Sequence, residues 1–196
     1  MVGVLDGIRV LDFGRFIAGP WCGALLGDFG ADVIRIDKRG GGKDRHVLPM
    51  SNDMTGAMFL QMNRNKRGMT LDPTKPEGRE IQEKLVTTAD VVLANMPPRA
   101  LKQLGLDYDT LKSIKPDIIL TTATAFGTTG PLATKVGFDT VAQAMSGAMH
   151  LTGTEDNAMR SYYPWVDYGT ATLCALGTMA AIMSRKETGK CQHVQG

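Results

Sequence analysis

One carboxylate, Asp167, opens the most continuously apolar helical run of the sequence. Tyr163-Pro164-Trp165-Val166-Asp167-Tyr168-Gly169-Thr170 leads into a run that reaches Met183 without an Asp, Glu, Lys or Arg. An acid in that place has two chemical uses. As a helix N-cap it accepts hydrogen bonds from first-turn N–H groups that have no partner within the helix. As a nucleophile it attacks a carbonyl carbon and splits one difficult displacement into two easier ones. The positive end of the helix dipole favours the ionised, nucleophilic form, whereas burial lifts a carboxyl above its usual value of about 3.9. The local residues leave both uses, and this balance, open.

Cations are the second chemical resource. Arg39, Lys43 and Arg45 surround Gly40-Gly41-Gly42, and Arg64, Lys66 and Arg67 form another cluster. Groups this small suit the phosphate oxygens of a small molecule, and equally well a solvated charged loop. A net charge of +2 over 196 residues argues against a general nucleic-acid binder. Cys22, Cys174 and Cys191 are widely spaced and odd in number, the pattern of buried or incidental thiols in a reducing compartment. His46, His150 and His193 lack a second ligand at metal spacing, so no metal site is expected.

The elements that must position these groups alternate between strand and helix. Ile8–Phe13 is a short apolar run bounded by Gly7 and Gly14, a buried strand by its pattern. Gly19-Pro20 opens a helix that Gly30 ends, and Asp32–Asp37 makes the next strand. This βαβ opening predicts parallel pairing in an open α/β sheet with flanking helices. No G-x-G-x-x-G turn follows the first strand; the chain reads Gly14-Arg15-Phe16-Ile17-Ala18-Gly19-Pro20, which argues against a nicotinamide or flavin enzyme. Downstream come helices over 57–62, 76–88, 99–104 and 108–114, strands over 69–71, 91–94 and 118–125, and a helix from Gly137-Phe138-Asp139 carrying Val141, Met145 and Met149, whose methionines read as core filler. Asn95-Met96-Pro97-Pro98-Arg99 lies just beyond the end of a strand, where open α/β sheets bind ligands. Arg185 to Lys190 is a basic helix end with Gly189 past it, and Gln192–Val194 is strand-like.

Apolar residues at 43% and charged residues at 21% describe one soluble globular domain. The opening MVGVLDGIRV lacks the architecture of a signal peptide. The uncharged run to Met183, rich in Ala, Gly and Thr, is too short to span a bilayer, so a cytoplasmic protein with no membrane partner is expected.

Several stretches together resemble the class III coenzyme A transferases of the CaiB/BaiF type, which include formyl-CoA and carnitine CoA-transferases and the α-methylacyl-CoA racemases. They are Arg9-Val10-Leu11-Asp12-Phe13, Ala18-Gly19-Pro20, Leu26 to Ile34 (LGDFGADVI), Asn63-Arg64-Asn65-Lys66-Arg67, Leu71-Asp72, Ala89-Asp90-Val91, Gly137 to Gln143 (GFDTVAQ) and Arg185 to Gln192. Their order and spacing run through nearly the whole chain.

The resemblance implies a Rossmann-like large domain over residues 1–196 and a CoA thioester substrate, with CoA as reactant and no permanently bound cofactor. In the transferase branch an aspartate, here Asp167, attacks the thioester and passes through an anhydride and an aspartyl-CoA thioester. The implied CoA contacts are Ile17 and Ala18, Lys38 in place of a phosphate-binding arginine, the turn Leu71, Asp72, Pro73 and Thr74, then Asn95, Met96 and Pro97. Gln103 stands where an arginine is found in relatives, with Arg99 nearby, and Phe138 and Asp139 face the thioester region. Lysine keeps the arginine's charge but not its bidentate geometry.

Phenylalanine at 138 replaces the histidine that serves the racemases as an acid–base group, and it moves no proton. Racemisation of a 2-methylacyl-CoA is therefore the second reading. Relatives are about twice as long, with a small second domain, a glycine-rich loop over the anhydride and interlocked homodimers. This chain corresponds to their N-terminal large domain alone, so a CoA-binding or dimer-forming module without turnover is the third reading.

Overall fold

The computed structural model describes residues 3–196. Its six strands are β1 (Arg9–Asp12), β2 (Asp32–Asp37), β3 (Arg67–Thr70), β4 (Val91–Ala94), β5 (Ile119–Thr122) and β6 (Gln192–Gln195), which form one sheet in the order β3-β2-β1-β4-β5-β6. Every neighbouring pair is parallel. This is the order of the doubly wound nucleotide-binding folds, and it reverses direction between β1 and β4. Carboxyl ends of all six strands therefore share one edge of the sheet.

Strand side chains alternate between two cores. Val10, Val33, Leu93 and Ile119 pack with α1 (Ala18–Asp28) and α8 (Trp165–Thr188) on one face. Leu11, Ile34, Val92 and Leu120 pack on the other with α3 (Pro76–Thr87), α4 (Pro98–Leu104) and α5 (Tyr108–Ile114). Burial on both faces explains the near-continuous apolar runs of the inner strands. Residues 192–195, strand-like in sequence, add a sixth strand beside β5, where His193 Nε2 lies 2.8 Å from Thr122 Oγ1.

Three sequence expectations change. First, the helix begun at Asp139 stops early: α6 (Asp139–Met145) gives way at Ser146 and Gly147 to a separate α7 (Ala148–Thr152). Gly147 has φ +79°, a backbone that breaks the helical ladder and that glycine adopts without steric cost. Met145 is 61% exposed and Met149 partly so, hence neither is core filler.

Second, the uncharged run to Met183 is embedded in a 24-residue helix, which by length and composition alone would reach across a bilayer. One face of α8, with Ala171, Cys174, Ala175, Thr178, Ala181 and Ile182, is nevertheless part of the core. Its last turn is tied to the sheet by Arg185, which pairs with Asp90 and Asp117 just before β4 and β5.

Third, the basic clusters are largely consumed internally. Lys66 is buried and bonded to Asp12 Oδ2 at 2.7 Å, to Pro20 O and to Asn63 Oδ1. Arg64 pairs with Asp28 and lies over the Trp21 ring, and Arg67 pairs with Asp32. In the other cluster, the segment after the three glycines folds as a 3-10 turn (Lys43–His46) between β2 and α2 (Ala57–Met62). Its Arg45 lies 4.0 Å above the centre of Phe59.

Candidate active site

The loops that follow β1, β4 and β5 meet the first turn of α8 around a cleft of ≈ 260 Å³. The cleft sits at the carboxyl edge of the sheet, where the strand order reverses. Of the residues singled out by sequence, it gathers Ile17, Ala18, Asn95, Met96, Pro97, Phe138, Asp139 and Asp167. Lys38, Leu71, Asp72, Pro73, Thr74, Arg99 and Gln103 lie outside it. Lys38 follows β2, and Leu71 to Thr74 follow β3, so they continue the same rim of the sheet. Leu71 itself is buried in the core, whereas Lys38, Asp72, Thr74, Arg99 and Gln103 are exposed. A larger depression of ≈ 530 Å³ lies by β3 and Phe59. Its buried cations are already paired, Arg35 with Asp37 and Asp44 and Lys66 with Asp12.

The β1–α1 loop is a held structure. Asn95, one residue past β4, accepts from Arg15 N at 2.7 Å and donates from Nδ2 to Arg15 O at 2.8 Å. Glycine is required at 19 for this approach, because a Cβ there would come within 2.8 Å of Asn95 Oδ1. The next residue, Phe16, takes φ +60°, an unfavourable conformation for an aromatic residue. Its N–H donates to buried Asp44 Oδ2 at 3.3 Å, and its ring meets Phe138 edge-on at 5.5 Å. Below the loop, Asp12 Oδ1 accepts from Gly14 N while its other oxygen holds Lys66. Burial alone would push the Asp12 carboxyl up; the charges of Lys66 and Arg35 outweigh it and hold the carboxyl below its ordinary value.

Asp167 is not the cap of its own helix. The N-cap position of α8 is Pro164, which brings no side-chain acceptor. Asp139, the first residue of α6, supplies it instead: its Oδ1 accepts from Val166 N at 2.9 Å and Asp167 N at 3.2 Å. The other oxygen, Oδ2, accepts from Gln143 Nε2. Asp139 is 6% exposed, so both its oxygens are turned to the protein. With the first-turn N–H groups occupied by another carboxylate, the helix end does not lower the Asp167 carboxyl. Burial, then the charge of Asp139, pushes Asp167 up to about 6. Of the two opposing effects that the sequence left open, dipole and burial, burial prevails here because Asp139 occupies the helix end.

Sequence reasoning missed Arg15, Phe16, Lys135, Val136 and Thr170, which also line the cleft. Arg15 donates to the carbonyls of Phe13, Gly14 and Ile36 and pairs with Asp37 at 3.6 Å, so its guanidinium is largely used within the loop and at the end of β2. Lys135 has no acidic partner among the described residues. Arg15 and Phe16 could have been found from their place immediately after a strand at the switch point. Lys135 carried no local signal.

A half-buried carboxylate with a raised pKa, in an apolar-walled cleft, has the chemistry of a nucleophile or a proton acceptor. Comparison with known proteins narrows the class. The model of CoA-transferase family III matches residues 5–196. Succinyl-CoA:glutarate CoA-transferase of Mus musculus is 37% identical over 188 residues, covering 95% of this chain and 43% of that protein. Succinate–glutarate CoA-transferase of Agrobacterium fabrum is 36% identical over 198 residues, covering 97% and 50%. The crystal structure of a CAIB/BAIF family protein from Brucella suis superposes with a TM-score of 0.93 at 38% identity, covering 99% of this chain and 53% of that one. The chain thus spans about half the length of the relatives it matches. By its sequence from residue 5 onward and by the superposition of its whole sheet, the chain belongs to CoA-transferase family III.

Proposed function

We propose that the protein moves coenzyme A from an acyl-CoA thioester to a free carboxylic acid, with Asp167 as the nucleophile. The observation that carries this reading is the half-buried Asp167 carboxylate, pushed up to about 6, in a cleft at the sheet's switch point. A carboxyl with that value is about ten parts ionised to one protonated at pH 7. It is therefore charged at neutral pH, yet more basic than an exposed aspartate.

The steps conserve charge and need no metal or redox partner. Asp167 attacks the thioester carbonyl; the C–S bond breaks, CoA thiolate leaves and a mixed anhydride forms. The thiolate attacks the aspartyl carbonyl of that anhydride, releasing the donor acid as carboxylate and leaving an aspartyl-CoA thioester. The acceptor carboxylate attacks this thioester, expelling CoA thiolate and forming the second anhydride. Attack of the thiolate on the acyl carbonyl completes the new acyl-CoA and returns Asp167.

CoA lies, in this reading, along the carboxyl rim of the sheet. The strand ends at Leu71 and Asn95 are three strand spacings apart, about 15 Å, a span suited to an extended ligand. Ile17, Ala18, Asn95, Met96 and Pro97 would flank the arm that carries the thioester, with Phe138 and Asp139 beside the carbonyl. Lys38, Asp72, Pro73, Thr74, Arg99 and Gln103 would face the nucleotide end, with Leu71 beneath the turn. The two named relatives exchange CoA between succinate and glutarate, both dicarboxylic acids. A dicarboxylate suits this cleft as well, since Lys135 on its wall would face the carboxylate that does not react. An interlocked homodimer, implied by the family resemblance, and a cytoplasmic location are part of this reading.

The test is chemical trapping. The full-length gene product, incubated with succinyl-CoA and treated with hydroxylamine, should yield a hydroxamate at Asp167 by mass spectrometry; Asp167→Ala should give none. Absence of that adduct with every acyl-CoA donor tried would sink the reading. Deuterium entering the α-carbon of a 2-methylacyl-CoA without acyl exchange would replace it with racemisation, which Phe138 disfavours because it carries no titratable group. A rise in melting temperature with CoA but no transfer would mark a binding module.

A further inference from the structure

The first turn of α8 depends on a neighbouring helix for its hydrogen bonds. Trp165 N–H donates to Tyr163 O at 2.8 Å, and Tyr168 N–H begins the helical ladder to Pro164 O. Between them, Val166 and Asp167 have only Asp139 Oδ1. The relay continues: Asp139 Oδ2 holds Gln143 Nε2, and Gln143 Oε1 accepts from Ser161 N at 2.8 Å. Ser161 belongs to the loop that leads into α8. Asp139 and Gln143 are one turn apart on α6, both buried, and between them they grip the start of α8 and its approach.

We infer that Asp139 is a positioning residue: one carboxylate oxygen fixes the backbone from which Asp167 projects, and the other, through Gln143, clamps the incoming loop. The inference rests on the reading of Asp167 as nucleophile and adds what sets its aim and basicity. The geometric part follows from the backbone. A nucleophile attached to a frayed helix end would sample many directions, and misplacement on the scale of an ångström costs about a hundredfold in rate. The electrostatic part follows from charge. The groups facing Asp167 are Asp139 from α6, Tyr168 on its own helix, and Arg15 and Lys135 on the cleft wall. Arg15 is bonded to backbone carbonyls and Lys135 is exposed, whereas Asp139 is buried and bonded to the same turn. A second negative charge there opposes ionisation of Asp167 and keeps it basic.

Two substitutions separate the parts. Asp139→Asn keeps an oxygen that accepts from Val166 and Asp167 but removes the charge and, with it, the partner of Gln143 Nε2. The acid limb of kcat/KM for CoA transfer in the full-length protein should move down by about half a pH unit or more, with the Asp167 adduct still trapped. Asp139→Ala removes the acceptor as well, and kcat should fall by about tenfold or more with KM for acyl-CoA little changed. If Asp139→Ala does not fold, Asp139→Asn carries the test alone. An acid limb that stays in place in a folded Asp139→Asn protein, with Asp167→Ala inactive, overturns this inference and leaves the nucleophile intact. Transfer retained in Asp167→Ala overturns the nucleophile and this inference with it.

Discussion

Asn95 and Arg15 hold each other across the switch point of the sheet, the side-chain amide of one pairing with both backbone groups of the other at 2.7 and 2.8 Å. The pair does for the loop what a further sheet hydrogen bond would do for a strand. It joins the end of β4 to the turn after β1 and sets the cleft wall that carries Phe16 and Ile17. Asn95→Ala leaves a partly buried N–H and C=O without partners, which should cost about 1–3 kcal/mol in a denaturant titration. Because Phe16 and Ile17 would loosen with it, KM for acyl-CoA should rise more than kcat falls. A variant with unchanged stability and unchanged KM would show that the loop holds itself.

The buried pair of Lys66 and Asp12 supports the same loop from beneath. Removing one partner strands a charge in the core, and Lys66→Met should destabilise by about 3–5 kcal/mol. Its pH dependence has a definite sign. The Asp12 carboxyl is held below its unfolded value of 3.8 by Lys66 and Arg35 against the cost of burial. The stability it contributes is therefore present above that value and is lost as the pH falls through the depressed one. Acid titration should show the parent protein losing stability below pH 4, whereas the deficit of Lys66→Met should be largest at neutral pH and shrink in acid, because burial then raises the unpaired Asp12 carboxyl and its protonation relieves the stranded charge.

Asp167 has the opposite sign. Its carboxyl is pushed up from 3.8 to about 6 by burial and then by Asp139, so the fold prefers it protonated. The stability this adds is full below pH 3.8 and disappears as the pH rises through about 6, leaving a penalty at pH 7. A shift of about two units corresponds to about 3 kcal/mol, reduced by solvent screening at a site this open to about 1–2 kcal/mol. Asp167→Asn should therefore raise the melting temperature at pH 7 while abolishing transfer, and the gain should shrink to nothing near pH 4. A gain equal at both pH values would mean that ionisation is not its cause.

The sheet was legible because its signals are local. A strand buried on both faces must be an apolar run, and alternation with helices of ordinary length leaves parallel pairing as the expectation. Asp167 and the strand-end residues Asn95, Met96 and Pro97 could be nominated for the same reason. The role of Asp139 was not legible, since its partners lie 27 and 28 residues away and no spacing rule links a helix start to another helix's first turn. The fate of the cations was hidden for a similar reason: Lys66 and Asp12 are 54 residues apart. Break points such as Gly147 were overlooked because apolar periodicity runs on through a single glycine.

Phe16 supplies the last prediction. A phenylalanine at φ +60° costs about 1–2 kcal/mol relative to an ordinary conformation, and here it persists because Asn95 fixes the preceding residue and Asp44 accepts its N–H. What the strained backbone gains is the direction of the ring, which lies edge-on to Phe138 at the mouth of the cleft. Phe16→Gly removes both the strain and the ring. Relief of strain opposes the loss of apolar contact, so stability should change by less than about 1 kcal/mol. Function should respond differently: without the ring the cleft wall opens beside Phe138, and KM for acyl-CoA should rise by about tenfold, equivalent to about 1.4 kcal/mol of lost binding. Phe16→Leu retains an apolar wall but keeps the strain, so it should be the less stable of the two variants and the better binder. If the glycine variant binds acyl-CoA as well as the parent, the ring has no part in holding substrate and the strain at Phe16 serves only the loop.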